Sequence, residues 1–175
     1  PRSTPKPSSA ESDVYKRQVY TSGRFKGTVN FGAGNVTSAG DSDVFVTKLN
    51  AAGAHQWTTT FGGTGNDFGF AVAVDASGNV YTSGTFRWTV NFGAGNVTSA
   101  GDYDVFVTKL NSAGAHQWTT TFGGTGLDEF LDMAVDDSGN VYATGYFHGT
   151  VDFGAGNVTS AGGQDGFVLS LIHIS

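Results

Sequence analysis

The 175-residue chain has no cysteine, one methionine and three prolines, and all three prolines fall within the first seven residues. Without thiols it holds neither disulfides nor thiolate metal sites, although this leaves the compartment open. Cations are scarce too: nine Lys and Arg stand against fifteen Asp and Glu, a net charge of −6. Such a chain repels polyanions, so no nucleic-acid partner and no attraction to an anionic membrane surface are expected. The apolar tail at 169–175 is far too short to span a bilayer, and no membrane insertion is expected from it.

What is present divides into two kinds of sequence. All 27 glycines and all 14 phenylalanines lie between Val19 and Val168. Outside them, Asp13 to Gln18 written as GAT GTG TAT AAG AGA CAG has the complement CTG TCT CTT ATA CAC ATC, which encodes Leu169 to Ile174. One DNA element read in opposite directions explains both ends, as in an inverted adapter flanking an insert. Residues 1–18 are therefore read as adapter-derived and disordered, and 169–175 as an adapter-derived tail. Removing them leaves five cations against thirteen anions, a net charge of −8 on the remainder.

That remainder is periodic. Val19, Val80 and Val141 open VYTSGRF, VYTSGTF and VYATGYF, a spacing of 61 at each step. Phe31, Phe92 and Phe153, then Asp43, Asp104 and Asp165, then Trp57 and Trp118, keep the same step without a gap. A constant period means that each copy repeats one fold.

Within a copy the runs are short, β-branched and aromatic, with no helical periodicity. Ala71 to Asp75 joins Val80 to Phe86 through a glycine-containing connection, and Val105 to Leu110 joins Ala115 to Phe122 by the same device, so each copy holds two hairpins. Val105 and Val107 point one way while Phe106, Thr108 and Leu110 point the other, so this strand expects apolar neighbours on both faces. Propeller blades stacked around an axis supply them. The fold class read here is all-β: a partial β-propeller of about two and a half four-stranded antiparallel blades. The blades are placed at 19–68 (partial), 69–130 and 131–168 (partial). Arg87 to Gly101 is expected to extend the preceding strand and turn back across one end. A linear β-solenoid fits less well, because its rungs are shorter than 61 residues.

GNVYTSGTF, GDYDVFVTKLNSAGAHQWTTTFGG and DMAVDDSGNVYATGYF resemble the bacterial β-propeller repeats of the SBBP, or seven-bladed β-propeller, family across nearly all of 19–168. The resemblance implies an extracellular or cell-surface bacterial protein. It carries no catalytic residues with it.

Several local groups suggest chemistry. Gly32-Ala33-Gly34 and its copies at Gly93 and Gly154 begin a phosphate-binding pattern, but no third glycine or helix follows, so they read as turns. Asn35, Asn96 and Asn157 open formal sequons that turn geometry explains. Asp41 with Asp43, and Asp102 with Asp104, offer carboxylates of the type calcium takes. The third copy loses the first of them (Gly163 before Asp165), which favours turns that bond local amides. Asp128, Glu129, Asp132, Asp136 and Asp137 cluster in one copy only; a solvated acidic rim is expected rather than a glycosidase pair. His55 and His116 read as packed or edge residues, and Trp57 and Trp118 as inter-blade core. Lys26, Arg87 and His148 form an arc facing either an anionic glycan or acids of a neighbouring blade.

No catalytic, cofactor or metal residue is assigned, and no cofactor is expected. The function expected is a non-enzymatic extracellular propeller module, a scaffold or a binder of protein or glycan at a propeller face. The alternatives are a segment of a polysaccharide-active enzyme whose active site lies elsewhere, and a calcium-stabilised stalk. Blade 1 lacks its first strand and blade 3 its last, so apolar faces made for neighbouring blades are expected to be exposed and to drive association.

Overall fold

The structure, a computed structural model, describes residues 18–171; the readings placed on 1–17 and 172–175 lie outside them. Among the described residues there are fourteen strands and no helix. Blade 1 comprises β1 (Val19–Phe25), β4 (Asp43–Leu49) and β5 (His55–Gly63), with a small hairpin of β2 (Thr28–Asn30) and β3 (Asn35–Thr37) between β1 and β4. Blade 2 is complete. Here β6 (Phe68–Val74), β7 (Val80–Phe86), β10 (Asp104–Leu110) and β11 (His116–Phe122) form an antiparallel meander, and β8 (Thr89–Asn91) pairs with β9 (Asn96–Thr98). Blade 3 holds β12 (Glu129–Val135), β13 (Val141–Asp152) and β14 (Asn157–Leu171). The second and third blades thus start a residue or two ahead of the expected boundaries. Leu169 to Leu171, assigned to the tail, continue β14 opposite Ala143, Tyr142 and Val141, since alternating Leu-Ser-Leu suits a strand.

The two expected hairpins are β6–β7 and β10–β11. In the first turn the Asp75 carboxylate accepts the Ser77 and Asn79 amides and Gly78 takes φ 80°; in the second, Asn111 accepts Ala113 and Ala115 and Gly114 takes φ 82°. These short polar side chains bond their own backbone two and four residues on, which fixes the turn locally.

Stacking supplies the core, and the two-faced strand behaves as its alternation requires. Val105 and Val107 of β10 join Phe122, Phe130, Met133, Val141 and Phe147 between blades 2 and 3. Phe106 and Leu110 of the same strand join Val44, Val46, Phe86 and Phe92 between blades 1 and 2. All four β10 side chains are fully buried. Each contributes roughly 1.5–3 kcal/mol from leaving water. Trp57 and Trp118 are half-buried and pack at these two junctions, as expected.

The segment after β7 does not behave as expected. In blades 1 and 2 it leaves the sheet at Lys26-Gly27 and Arg87-Trp88 and forms a separate hairpin; only in blade 3 does it extend the preceding strand. The β8–β9 hairpin crosses to the previous blade, pairing Asn91 and Val90 with Gly62 and Gly63 at the end of β5. Gly63 is required there: an added Cβ would collide with the Thr89 carbonyl, and Gly124 meets Thr150 in the same way at the next junction.

Candidate functional site

Every blade has two ends, and the copies treat them differently. One end carries the β6–β7 and β10–β11 turns; the first two copies differ there only by Ala51 for Ser112, and the last two only by Ala76 for Asp137. The opposite end carries the connection between blades, the start of β6, the end of β7 and the loop before β10. There the side chains change in kind: Arg24, Thr85 and Tyr146; Gly27, Trp88 and Gly149; Ser42, Tyr103 and Gln164; Asn66 and Leu127; Phe68 and Glu129. Core positions diverge as well, the fully buried Phe130 standing where blade 2 has Gly69, so divergence marks this end only where the side chains are also open to solvent.

These divergent positions converge in space. A groove of about 440 Å³ is lined by Gly23, Arg24, Phe68, Gly69, Phe70 and Glu129. A second hollow of about 170 Å³ shares Phe68 and Glu129 with it and adds Thr85, Tyr103 and Leu127. Apart from Gly23, each of these residues occupies a place where the copies differ. The Phe68 and Tyr103 rings stack at 5.8 Å, the Arg24 guanidinium lies 4.6 Å from the Phe68 centroid, and Arg87 lies 5.5 Å from Tyr103 and 5.1 Å from Trp88. Aromatic faces and guanidinium planes therefore alternate along this end of blade 2. Phe70 sits at a β-bulge in β6, where the register shifts between Gly69 and Ala71, and it is 42% exposed. A bulge re-aims one side chain out of the sheet.

Trp88 adds a backbone observation. Among the described residues it is the one non-glycine with positive φ, 66°, and its equivalents Gly27 and Gly149 have φ 71° and 81°. The left-handed conformation costs an L-residue about 1–2 kcal/mol. The ring is nevertheless half exposed, so core packing does not offset that cost.

Beneath the divergent layer lies a constant one built from buried carboxylates. Asp67 accepts the Gly63 amide at 2.9 Å and the Arg87 amide at 3.1 Å, tying the end of blade 1 to blade 2. Asp128 accepts Gly124 at 2.8 Å and His148 at 3.2 Å at the next junction. Asp43, Asp104 and the half-buried Asp165 of the outer blade each accept the amide four residues upstream, from Ala39, Ala100 and Ala161. Burial pushes Asp67 and Asp104 up to about 6, helped by the neighbouring charges of Asp43 and Asp128 respectively and opposed by the backbone amides. Asp43 and Asp128 are also raised by burial.

The other candidate residues fall into place around this layer. The Asp41–Asp43 and Asp102–Asp104 pairs do not converge on one point: Asp43 and Asp104 turn inward to bond local amides, while Asp41 and Asp102 face outward to Lys26 and Arg87. Among the described residues no group of three or more His, Cys, Asp or Glu could hold a metal ion. The arc of Lys26 and Arg87 is neutralised within its own blade rather than by a neighbour, with Arg87 2.8 Å from Asp102. In the third copy His148 and Gly163 replace the cation and the acid together. The acidic cluster is not a common rim: Asp128 is buried on backbone amides, Glu129 bonds Tyr146, Asp136 shapes a turn, and Asp132 and Asp137 are exposed. His55 and His116 are half-buried edge residues, each 2.9 Å from a threonine hydroxyl. Gly32 and Gly34 make the β2–β3 turn at φ 116° and 114°. Sequence reasoning passes over Phe68, Phe70, Trp88, Tyr103 and Leu127, because a search for chemical motifs does not register a difference between copies.

Residues 56–85 match the SBBP family, described as a beta-propeller repeat. Over 159 residues, 83% of this chain, the sequence is 30% identical to an uncharacterized WD repeat-containing protein of Acanthamoeba polyphaga mimivirus. Over 110 residues, 61% of this chain, it is 32% identical to the regulatory protein FlaEY of Caulobacter vibrioides. The matched stretches cover 11% and 12% of those two proteins. With its period, its stacked antiparallel blades and this match, the chain is an all-β repeat protein carrying the SBBP beta-propeller repeat.

Proposed function

We propose that the chain is a non-enzymatic binding segment of an extracellular or cell-surface bacterial propeller protein, and that it takes its ligand at the divergent end of the blades. The observation that carries this reading is the convergence of divergent repeat positions on one aromatic, arginine-bearing groove beside junctions whose Asp67 and Asp128 bonds are the same in both copies. Pockets that combine aromatic walls with a few placed polar groups are the usual form of a binding site. The buried carboxylates nearby already have structural work: Asp67, Asp104 and Asp128 hold backbone amides. A catalytic reading would need such groups free. The location rests on the sequence resemblance alone.

The test sets two variants of the full chain against each other on arrays of glycans and of extracellular proteins. Tyr103→Ser with Phe70→Ser strips the divergent end, and Ser112→Ala with Asp137→Ala alters the other. Loss of a specific signal in the first variant alone is expected; a signal that survives the first and disappears in the second would sink the reading.

A further inference from the structure

Trp88 narrows the ligand class, provided that the divergent end is the binding site proposed for it. The turn it occupies is built for glycine. Its amide donates to Ser99 Oγ at 3.0 Å, as Gly27 donates to Ser38 at 3.0 Å and Gly149 to Ser160 at 2.9 Å, so all three copies hold one backbone geometry. Only the second copy spends that geometry on an indole, and the ring lies half in water. A strained, exposed aromatic residue in an otherwise constant frame signals a function outside the fold.

The surroundings restrict what the ring meets. The chain's net charge of −6 disfavours a polyanion. Arg87, the cation beside the ring, is already paired with Asp102. What remains is the half-exposed indole of Trp88, with the Tyr103 phenol and the Glu129 carboxylate further along the same end as hydrogen-bonding groups of both kinds. The Tyr103 and Phe68 rings are stacked on each other, with Arg87 and Arg24 over them, and offer edges rather than faces. A pyranose has the matching form, with a C–H face for the ring and hydroxyls that both donate and accept at its edge. We infer that Trp88 is the stacking platform for an uncharged oligosaccharide, with the Tyr103 phenol as a hydrogen-bonding group beyond it.

The full chain is titrated by calorimetry with cellohexaose, mannohexaose and xylohexaose, with polygalacturonate as an anionic control. The expected result is saturable binding of at least one neutral hexaose. Trp88→Gly should weaken it at least tenfold while leaving the thermal midpoint unchanged or raised, because glycine is the residue the turn accepts. Trp88→Phe should recover part of the affinity. Undiminished binding by Trp88→Gly, or binding of none of the three neutral hexaoses, overturns the inference. If polygalacturonate or an arrayed protein binds instead, and Tyr103→Ser with Phe70→Ser abolishes that signal, the carbohydrate inference falls and the binding reading stands. If no ligand of any class responds to that pair of substitutions, both fall.

Discussion

Val107 and Val168 occupy the same place in the repeat, yet Val107 is fully buried and Val168 is 81% exposed. The difference is the neighbour. Val107 faces blade 3, and Val168 faces outward from it. At the other end of the stack Val19 is 48% exposed where Val80 and Val141 are buried. The outward face of blade 3 therefore repeats the one blade 2 presents to blade 3, and the outward face of blade 1 repeats the one blade 2 presents to blade 1.

Head-to-tail association of the isolated chain is the expected consequence. Size-exclusion chromatography with light scattering should show a mass that rises with concentration. Val168→Asp should move the distribution toward monomer without changing the far-UV spectrum. A compact monomer at all concentrations would contradict this.

Burial also grades the core substitutions. Phe106 is fully buried at the first junction, 4.9 Å from Phe92, while its equivalent Phe45 is half-buried on the outer blade. Phe106→Ala is expected to cost about 3–5 kcal/mol. Phe45→Ala should cost clearly less. Urea unfolding of the two variants under one condition measures the difference.

Asp67→Ala removes two acceptors at once and leaves the Gly63 and Arg87 amides without their partner. A fully buried orphaned donor costs about 1–3 kcal/mol, and these two part-buried amides cost toward the lower end of that range. Hydrogen exchange should show loss of protection at Gly63 and Arg87 ahead of the β7–β10 ladder. Unchanged protection at both amides would show that Asp67 does not fasten the junction.

Stability should also depend on pH in an acid-shifted manner. Asp67 and Asp104 are pushed up to about 6 by burial, above the ordinary carboxylate value of 3.8. The folded state therefore holds more protons than the unfolded chain between those values, and stability falls as pH rises from about 4 through about 6. Asp75 and Asp136 are held below the ordinary value by hydrogen bonds from Asn79 and Asn140 and from nearby amides, although burial opposes this and most strongly at Asp75. Their contribution is lost only below that window. Asp104→Asn keeps an acceptor for Ala100 and removes the buried charge. It should raise stability at pH 7.5 by on the order of 1–3 kcal/mol and flatten the profile. A chain most stable at pH 7.5, with Asp104→Asn no better, would contradict the assignment.

The frame is legible in the sequence because packing repeats. Phe106 and Val107 announce a strand buried on both faces, and Gly78 and Gly114 announce its turns, so period and alternation together imply stacked blades. The hairpin path is not legible: Thr89 to Asn91 has the same β character whether it prolongs β7 or crosses to β5, and the choice depends on the bare Gly62-Gly63 edge of another blade. Sequence marks Lys26 and Arg87 as cations in need of a partner, but Asp41 and Asp102 approach them only after the hairpin folds back. The groove stays hidden for a different reason. Its signal is the mismatch of Phe68 with Glu129 and of Arg24 with Thr85 and Tyr146, visible in the aligned copies but carried by no motif.

The crossing of β8–β9 onto Gly62 and Gly63 has a consequence for how such arrays change length. Blade 2 brings with it the strap that fastens it to blade 1, and in blade 3 Thr150 approaches the same ledge, Gly124, at the end of blade 2. Because strap and ledge lie one period apart, duplicating a whole period would carry both along and leave the new junction in register.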